Sequence, residues 1–123
     1  MNKRLTMTLL SGLMLGSAIT LQAAPNYTFT DLSSNSSFAI ANAINNQGQI
    51  AGYQSIQVPI PSIPGSTVST FTATLWDGAT GLGTLLTTPT FDVGSVANDL
   101  NDSGQIVGFN SDLSGKTTAI SWE

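Results

Sequence analysis

Beyond residue 24 the apolar positions alternate with period two, and no stretch sustains a 3.6-residue apolar period. Strands are therefore expected, and little helix. Residues 26–32 set Tyr27, Phe29 and Asp31 against Thr28, Thr30 and Leu32, which predicts a first strand. A polar loop follows at Ser33, Ser34, Asn35, Ser36 and Ser37. Residues 38–44, 49–54 and 70–76 predict three more strands. Between the last two, Pro59, Pro61 and Pro64 interrupt residues 58–65, which predicts an extended surface loop and forbids a paired central strand there. Asp77-Gly78 marks a turn. Residues 81–85, 93–100, 105–110 and 117–122 then predict a second set of four strands.

The two sets share a motif. Ala41-Asn42-Ala43-Ile44-Asn45-Asn46-Gln47-Gly48-Gln49-Ile50-Ala51-Gly52-Tyr53-Gln54 returns as Ala97-Asn98-Asp99-Leu100-Asn101-Asp102-Ser103-Gly104-Gln105-Ile106-Val107-Gly108-Phe109-Asn110. Seven of the fourteen positions are identical, and most others exchange like for like. The motif predicts a hairpin. Asn45 and Asn101 accept hydrogen bonds from the backbone just downstream, while Gly48 and Gly104 supply the positive φ that closes a bulged type I turn. After the turn, Ile50 and Gly52 share one side, Ala51 and Tyr53 the other, with no charge on either. A strand of that kind suits a sheet covered on both faces, and Gly52 and Gly108 mark places where another layer should approach closely.

The repeat offset is 56 residues at the hairpin (Asn42 to Asn98) and 46 at the last strand (Ala73 to Ala119), the difference lying in the proline loop. Two units of four antiparallel strands each, near the period of a propeller blade, are the expected architecture. Unit one covers about residues 26–77 and unit two about 78–123. Stacked repeats generally need about three units. Two units with uncharged faces lead to the expectation of self-association, or of a protein partner on an uncovered sheet face, or of a piece of a longer array.

The first 23 residues read differently. Lys3 and Arg4 precede an uncharged apolar run to Leu21, and Ala23-Ala24 offers a small-residue cleavage site before Pro25. That is the layout of a secretory signal helix, with export to the periplasm or the outside and no membrane anchorage after cleavage. Loss of Lys3 and Arg4 takes the net charge from −4 to −6 and leaves Lys116 as the single base. Such a surface repels nucleic acid. The chain has no cysteine and no histidine, which removes disulfides, thiolate and imidazole metal sites and the usual nucleophile–base triads.

The remaining chemistry is sparse, and no cofactor is expected. Asp77 and Glu123 follow Trp76 and Trp122 at matching places and form the one candidate carboxylate pair, although nothing in the sequence fixes their distance. Asp99, Asn101 and Ser103 place oxygens at positions 1, 3 and 5 of a calcium-type loop with Gly104 at position 6. Position 12 is Asn110 rather than a glutamate, and the first copy starts with Ala43, so turn geometry is the preferred reading. Trp76 and Trp122 are candidates to stack on sugar rings, against a simpler role in packing.

Residues 43–53 and 99–109, Ala73 with Leu75-Trp76, and residues 81–85 together resemble the HAF-type extracellular repeat, whose units read Ala-Ile-Asn-Asn/Asp-x-Gly-Gln with two hydrophobics, Gly and Tyr, then His-Ala-Phe-Leu-Trp and Asp-Leu-Gly-Thr-Leu. Thr72 and Thr118 stand where that pattern has histidine, and Thr74 and Ile120 where it has phenylalanine. The resemblance implies a propeller-like β-repeat outside the cytoplasm, with no defined chemistry.

Overall fold

The computed structural model describes residues 21–33, 36–88 and 92–123. The predicted leader helix falls almost wholly on residues 1–20, outside the described residues; residues 21–30 are exposed or nearly so and have no regular structure. The described part is all β. Its strands are β1 (Ala39–Ile44), β2 (Gln49–Pro59), β3 (Thr67–Asp77), β4 (Gly83–Leu85), β5 (Asp92–Leu100), β6 (Ile106–Asp112) and β7 (Thr117–Trp122). They form one open, mixed sheet in the order β1-β2-β3-β5-β6-β7, with β4 on β3. All pairings are antiparallel except the single parallel contact of Phe71 with Gly94 between β3 and β5.

Two expectations are corrected here. Residues 26–32 are not a strand: Tyr27 is 90% and Phe29 89% exposed. Alternation alone does not bring a segment into a sheet; the segment must also be held against an edge. This segment instead crosses the turn after β3, where a Cβ on Gly81 would come within 3.0 Å of the Asp31 carbonyl oxygen. The Asp31 carboxylate then accepts the Ser33 amide and hydroxyl at 2.8 and 2.7 Å, which curls the chain out of extension.

The proline segment is the second correction, since β2 runs through Val58 and Pro59 and pairs them with Val68 and Thr67. The geometry admits proline there. Ser55 donates its amide to Phe38, and the amide positions two and four residues on face the same edge. β1 begins at Ala39, so nothing pairs beyond it, and the missing N–H of Pro59 would have pointed past its end. The loop is confined to residues 60–66, closed by Ile60 donating to Ser66 at 2.9 Å.

The strand expected at residues 81–85 also pairs elsewhere than expected. Residues 83–85 do not open the second unit; they pair with Thr74, Leu75 and Trp76 as the fourth strand of the first. The second unit has three strands, β5 to β7. Over β3 the edge is shared: β4 takes residues 74–76 and β5 touches Phe71. In the gap between them Ser95 Oγ accepts the Ala73 amide at 2.9 Å, and Leu86 donates to the Ala73 carbonyl at 2.8 Å. A buried strand edge is thus satisfied without a strand.

Directly paired residues share a face of the sheet. One face of the first unit carries the rows Ala43-Ala51-Leu75 and Ile40-Tyr53-Ala73. The opposite face carries Ala41-Gly52-Thr74 and Ile44-Ile50-Trp76. In the second unit the matching rows are Asp99-Val107-Ser121 with Val96-Phe109-Ala119, and Ala97-Gly108-Ile120 with Leu100-Ile106-Trp122. The core forms where the first face of unit one meets the second face of unit two: Ala51, Ala73, Ala97, Leu100 and Ile106, with Ala43, Leu75 and Trp122 packed against them. β5 accordingly lies against β1 and β2. Alanines dominate this contact, so the backbones approach closely while little apolar area is buried per residue.

Candidate functional site

The duplicated turns are the densest polar feature, and they are built alike. Asn45 Oδ1 accepts the amides of Gln47 and Gln49 at 3.1 and 3.0 Å, and Asn101 Oδ1 accepts those of Ser103 and Gln105 at 3.0 and 2.9 Å. Each asparagine donates Nδ2 to the following glutamine side chain at 2.8 Å. Gly48 and Gly104 sit at φ 77° and 85°, as the turn requires. The sequence reading missed a third use of the same recipe at Asp112-Leu113-Ser114-Gly115-Lys116. There Asp112 Oδ1 accepts the amides of Ser114 and Lys116, and Gly115 has φ 81°. Its signal was visible as an Asx residue three positions before glycine.

Gly52 and Gly108 are needed for a different reason from the one expected. The nearest atoms to each belong to the paired strand in the same sheet. Register slips by one residue at Asn42 and at Asn98, a bulge in each hairpin. The bulge drives the Ile40 carbonyl oxygen into the space a Cβ on Gly52 would need, and the Val96 carbonyl does the same at Gly108.

The two hairpins meet along one side of their tips. Asn42 Nδ2 donates to the Ala97 carbonyl at 2.7 Å and Asn45 Nδ2 to the Asn101 carbonyl at 3.2 Å. Asn46 gives its amide and Nδ2 to the two oxygens of Asp102, at 2.9 and 2.6 Å, and Gln47 Nε2 reaches the Asp102 carbonyl at 2.8 Å. In each of these five bonds the first hairpin donates and the second accepts. The Asn46 amide, and after it the Asn46 side chain, hold the Asp102 carboxyl below its ordinary value.

Two of the candidate calcium ligands accept hydrogen bonds from nearby backbone amides. Asp99 lies on β5 and accepts the Leu100 amide at 2.9 Å; both bonds to the Asn101 oxygen come from the turn itself. Among the described residues no three His, Cys, Asp or Glu side chains gather in one place. Asp77 is occupied by the amides of Ala79 and Thr80, both at 2.9 Å, which lower its pKa, the Thr80 bond most. Glu123 accepts Gln105 Nε2 at 3.3 Å.

The tryptophans part company. Trp76 is 1% exposed, with Gly83 of β4 paired directly against its indole, so it has no ring face to offer a sugar. Trp122 is half-buried against the core and donates Nε1–H to the Thr87 carbonyl at 2.8 Å. The exposed aromatic surface lies elsewhere. Phe38, just before β1, meets Tyr53 of β2 and Phe71 of β3 with ring centroids 5.7 to 5.9 Å apart, and Phe38 and Phe71 remain 40% and 50% exposed. The sequence reading missed this cluster, which only the cross-strand register reveals. Unit two has no counterpart: Gly94 and Thr117 stand in the places of Phe38 and Phe71.

Comparison with known proteins finds no matching family model, no matching curated relative and no matching solved structure.

Proposed function

We propose that the chain is an exported, non-enzymatic β-repeat module that works by surface contact, in keeping with the HAF-type and propeller-blade resemblance of its two units. The observation that supports this reading is the fate of the repeated polar residues. Asn45, Asn101 and Asp102 spend their hydrogen-bonding capacity on turns and on the junction between hairpins. Apolar side chains such as Ile44 (68%), Val107 (51%) and Phe71 (50%) stand on the surface around them. Surfaces of that kind suit macromolecular contact better than bond-making chemistry.

Binding of a glycan is the second reading, now carried by Phe38, Tyr53 and Phe71 rather than by tryptophan. A glycan array probed with wild type and Phe71→Ala separates the two. No glycan retained by wild type supports the contact module; a glycan retained by wild type and lost in the variant replaces it. Calcium is tested by melting with and without the ion at millimolar concentration. An unchanged Tm is expected, whereas a rise of several degrees that vanishes in Asp99→Ala would make the protein a calcium binder.

A further inference from the structure

The junction between the two hairpins is directional, and each of its two surfaces has an exposed copy. The face of unit two that enters the core bears Ala97 (0% exposed), Leu100 (8%) and Ile106 (2%). The matching residues of unit one, Ala41, Ile44 and Ile50, are exposed, 68% exposed and half-buried. On the receiving side, Ala51 and Ala73 are 0% exposed, while their counterparts Val107 and Ala119 on unit two are exposed. The molecule thus has a donor-type end that is free at Ala41 and Ile44, beside Thr74 and Trp76 of the same face, which are buried within the chain, and a free acceptor-type end, each a repeat of a surface already buried once inside it.

We propose that a second copy of this chain docks head to tail, its Ala41-Ile44-Ile50 face laid on the Asp99-Val107-Phe109-Ala119 face of the first. The proposal rests on the contact-module reading above and gives it a partner and a geometry. The occupant follows from the junction inside the chain, where the partner of one hairpin is the other copy of that hairpin. One polar contact fits in the same sense. Asn98, the bulge residue equivalent to Asn42, is exposed and would donate to the Ala41 carbonyl of the incoming copy, as Asn42 donates to Ala97. The Asp102 carboxylate already holds Asn46 of its own chain through both oxygens, so that bond of the internal junction is not repeated at the free end. No carboxylate lies at the incoming tip, which carries Asn45, Asn46 and Gln47. Asp99 and Ser121, in place of Ala43 and Leu75, make the receiving face more polar than its internal counterpart and weaken the contact. The two surfaces differ, so the contact is heterologous and does not close at two copies.

Sedimentation velocity of the exported protein across a wide concentration range tests this. The expected result is a mass that climbs past the dimer without a plateau. Ile44→Glu and Val107→Glu each spoil one end and should weaken association by about tenfold or more. Both sites are exposed, and circular dichroism confirms that the strands remain. Mixed together, the two variants each retain one sound end and should form a one-to-one dimer that stops there. Asp99→Ala, which restores the alanine of Ala43, should tighten association. A monomer at every concentration, or a closed dimer, would overturn the proposal. Association indifferent to both glutamates would overturn this geometry while leaving the contact module standing, and glycan capture by a monomer would overturn both.

Discussion

The first hairpin and the second are nearly the same object locally and opposite objects globally. Turn bonds, bulge position and the glycine under the bulge repeat residue for residue. Burial does not: Ile106 is 2% exposed where Ile50 is half-buried, and Ala51 is 0% exposed where Val107 is 51%. Features made by near neighbours are copied with the sequence, whereas features made by what lies across the sheet depend on which side the other unit occupies. Substitutions at matched positions should therefore have equal effects for the first kind and unequal effects for the second.

The largest effect is expected from the glycines beneath the bulges. Gly52→Ala and Gly108→Ala each force a Cβ onto a backbone carbonyl, of Ile40 or Val96, and should cost about 3 kcal/mol or more in urea unfolding. The two losses should match; a wide difference would mean that the bulges are not the same structure. Next come the isoleucines, where the effects should diverge. Ile106→Ala should cost about 3 kcal/mol and Ile50→Ala about half of that, given their burial. Equal losses would show that the face of unit one is as well covered as that of unit two, and would count against a free end.

Smaller effects follow at the turns. Asn101→Ala removes two bonds to turn amides and should cost about 1 to 2 kcal/mol. Asn45→Ala should cost slightly more, because Asn45 also reaches the Asn101 carbonyl. The smallest effect is on acid stability. Asp31, Asp77 and Asp102 are exposed and Asp112 is half-buried; each is held below its ordinary value of 3.8 by hydrogen bonds, from nearby residues of its own turn or, for Asp102, from Asn46 of the other hairpin. A lowered folded-state pKa contributes stability that is present above about pH 4 and is lost as the pH falls through the lowered value. Thermal melts should therefore drop below about pH 4, with a shallower slope in Asp102→Asn; a flat profile would show that these bonds do not persist in solution.

Much of the architecture was legible before any coordinates. The paired strands at 39–44 and 49–54, the turn asparagines and glycines, and the strand at Thr117–Trp122 follow from alternation and turn chemistry, which act over a few residues. The failures occurred where the outcome depended on a neighbour distant in sequence. Tyr27 and Phe29 alternate properly yet their segment runs to the turn after β3 instead of to a strand edge, and Pro59 is admitted to β2 because β1 starts too late to need its amide. Residues 83–85 could have begun the second unit but were captured by the open edge beside Trp76. The aromatic cluster and the junction of Asn46 with Asp102 were unreadable for the same reason, since both exist only once strands are set in register.

By itself, then, the sequence determined that this protein would build the same hairpin twice from strands with few charges, because φ preferences, side-chain-to-backbone bonds and period-two alternation are settled within about a dozen residues. Only the tertiary structure decided which face of each hairpin is covered. Both faces are apolar enough to be buried, so the choice was left to how one unit packs against the other.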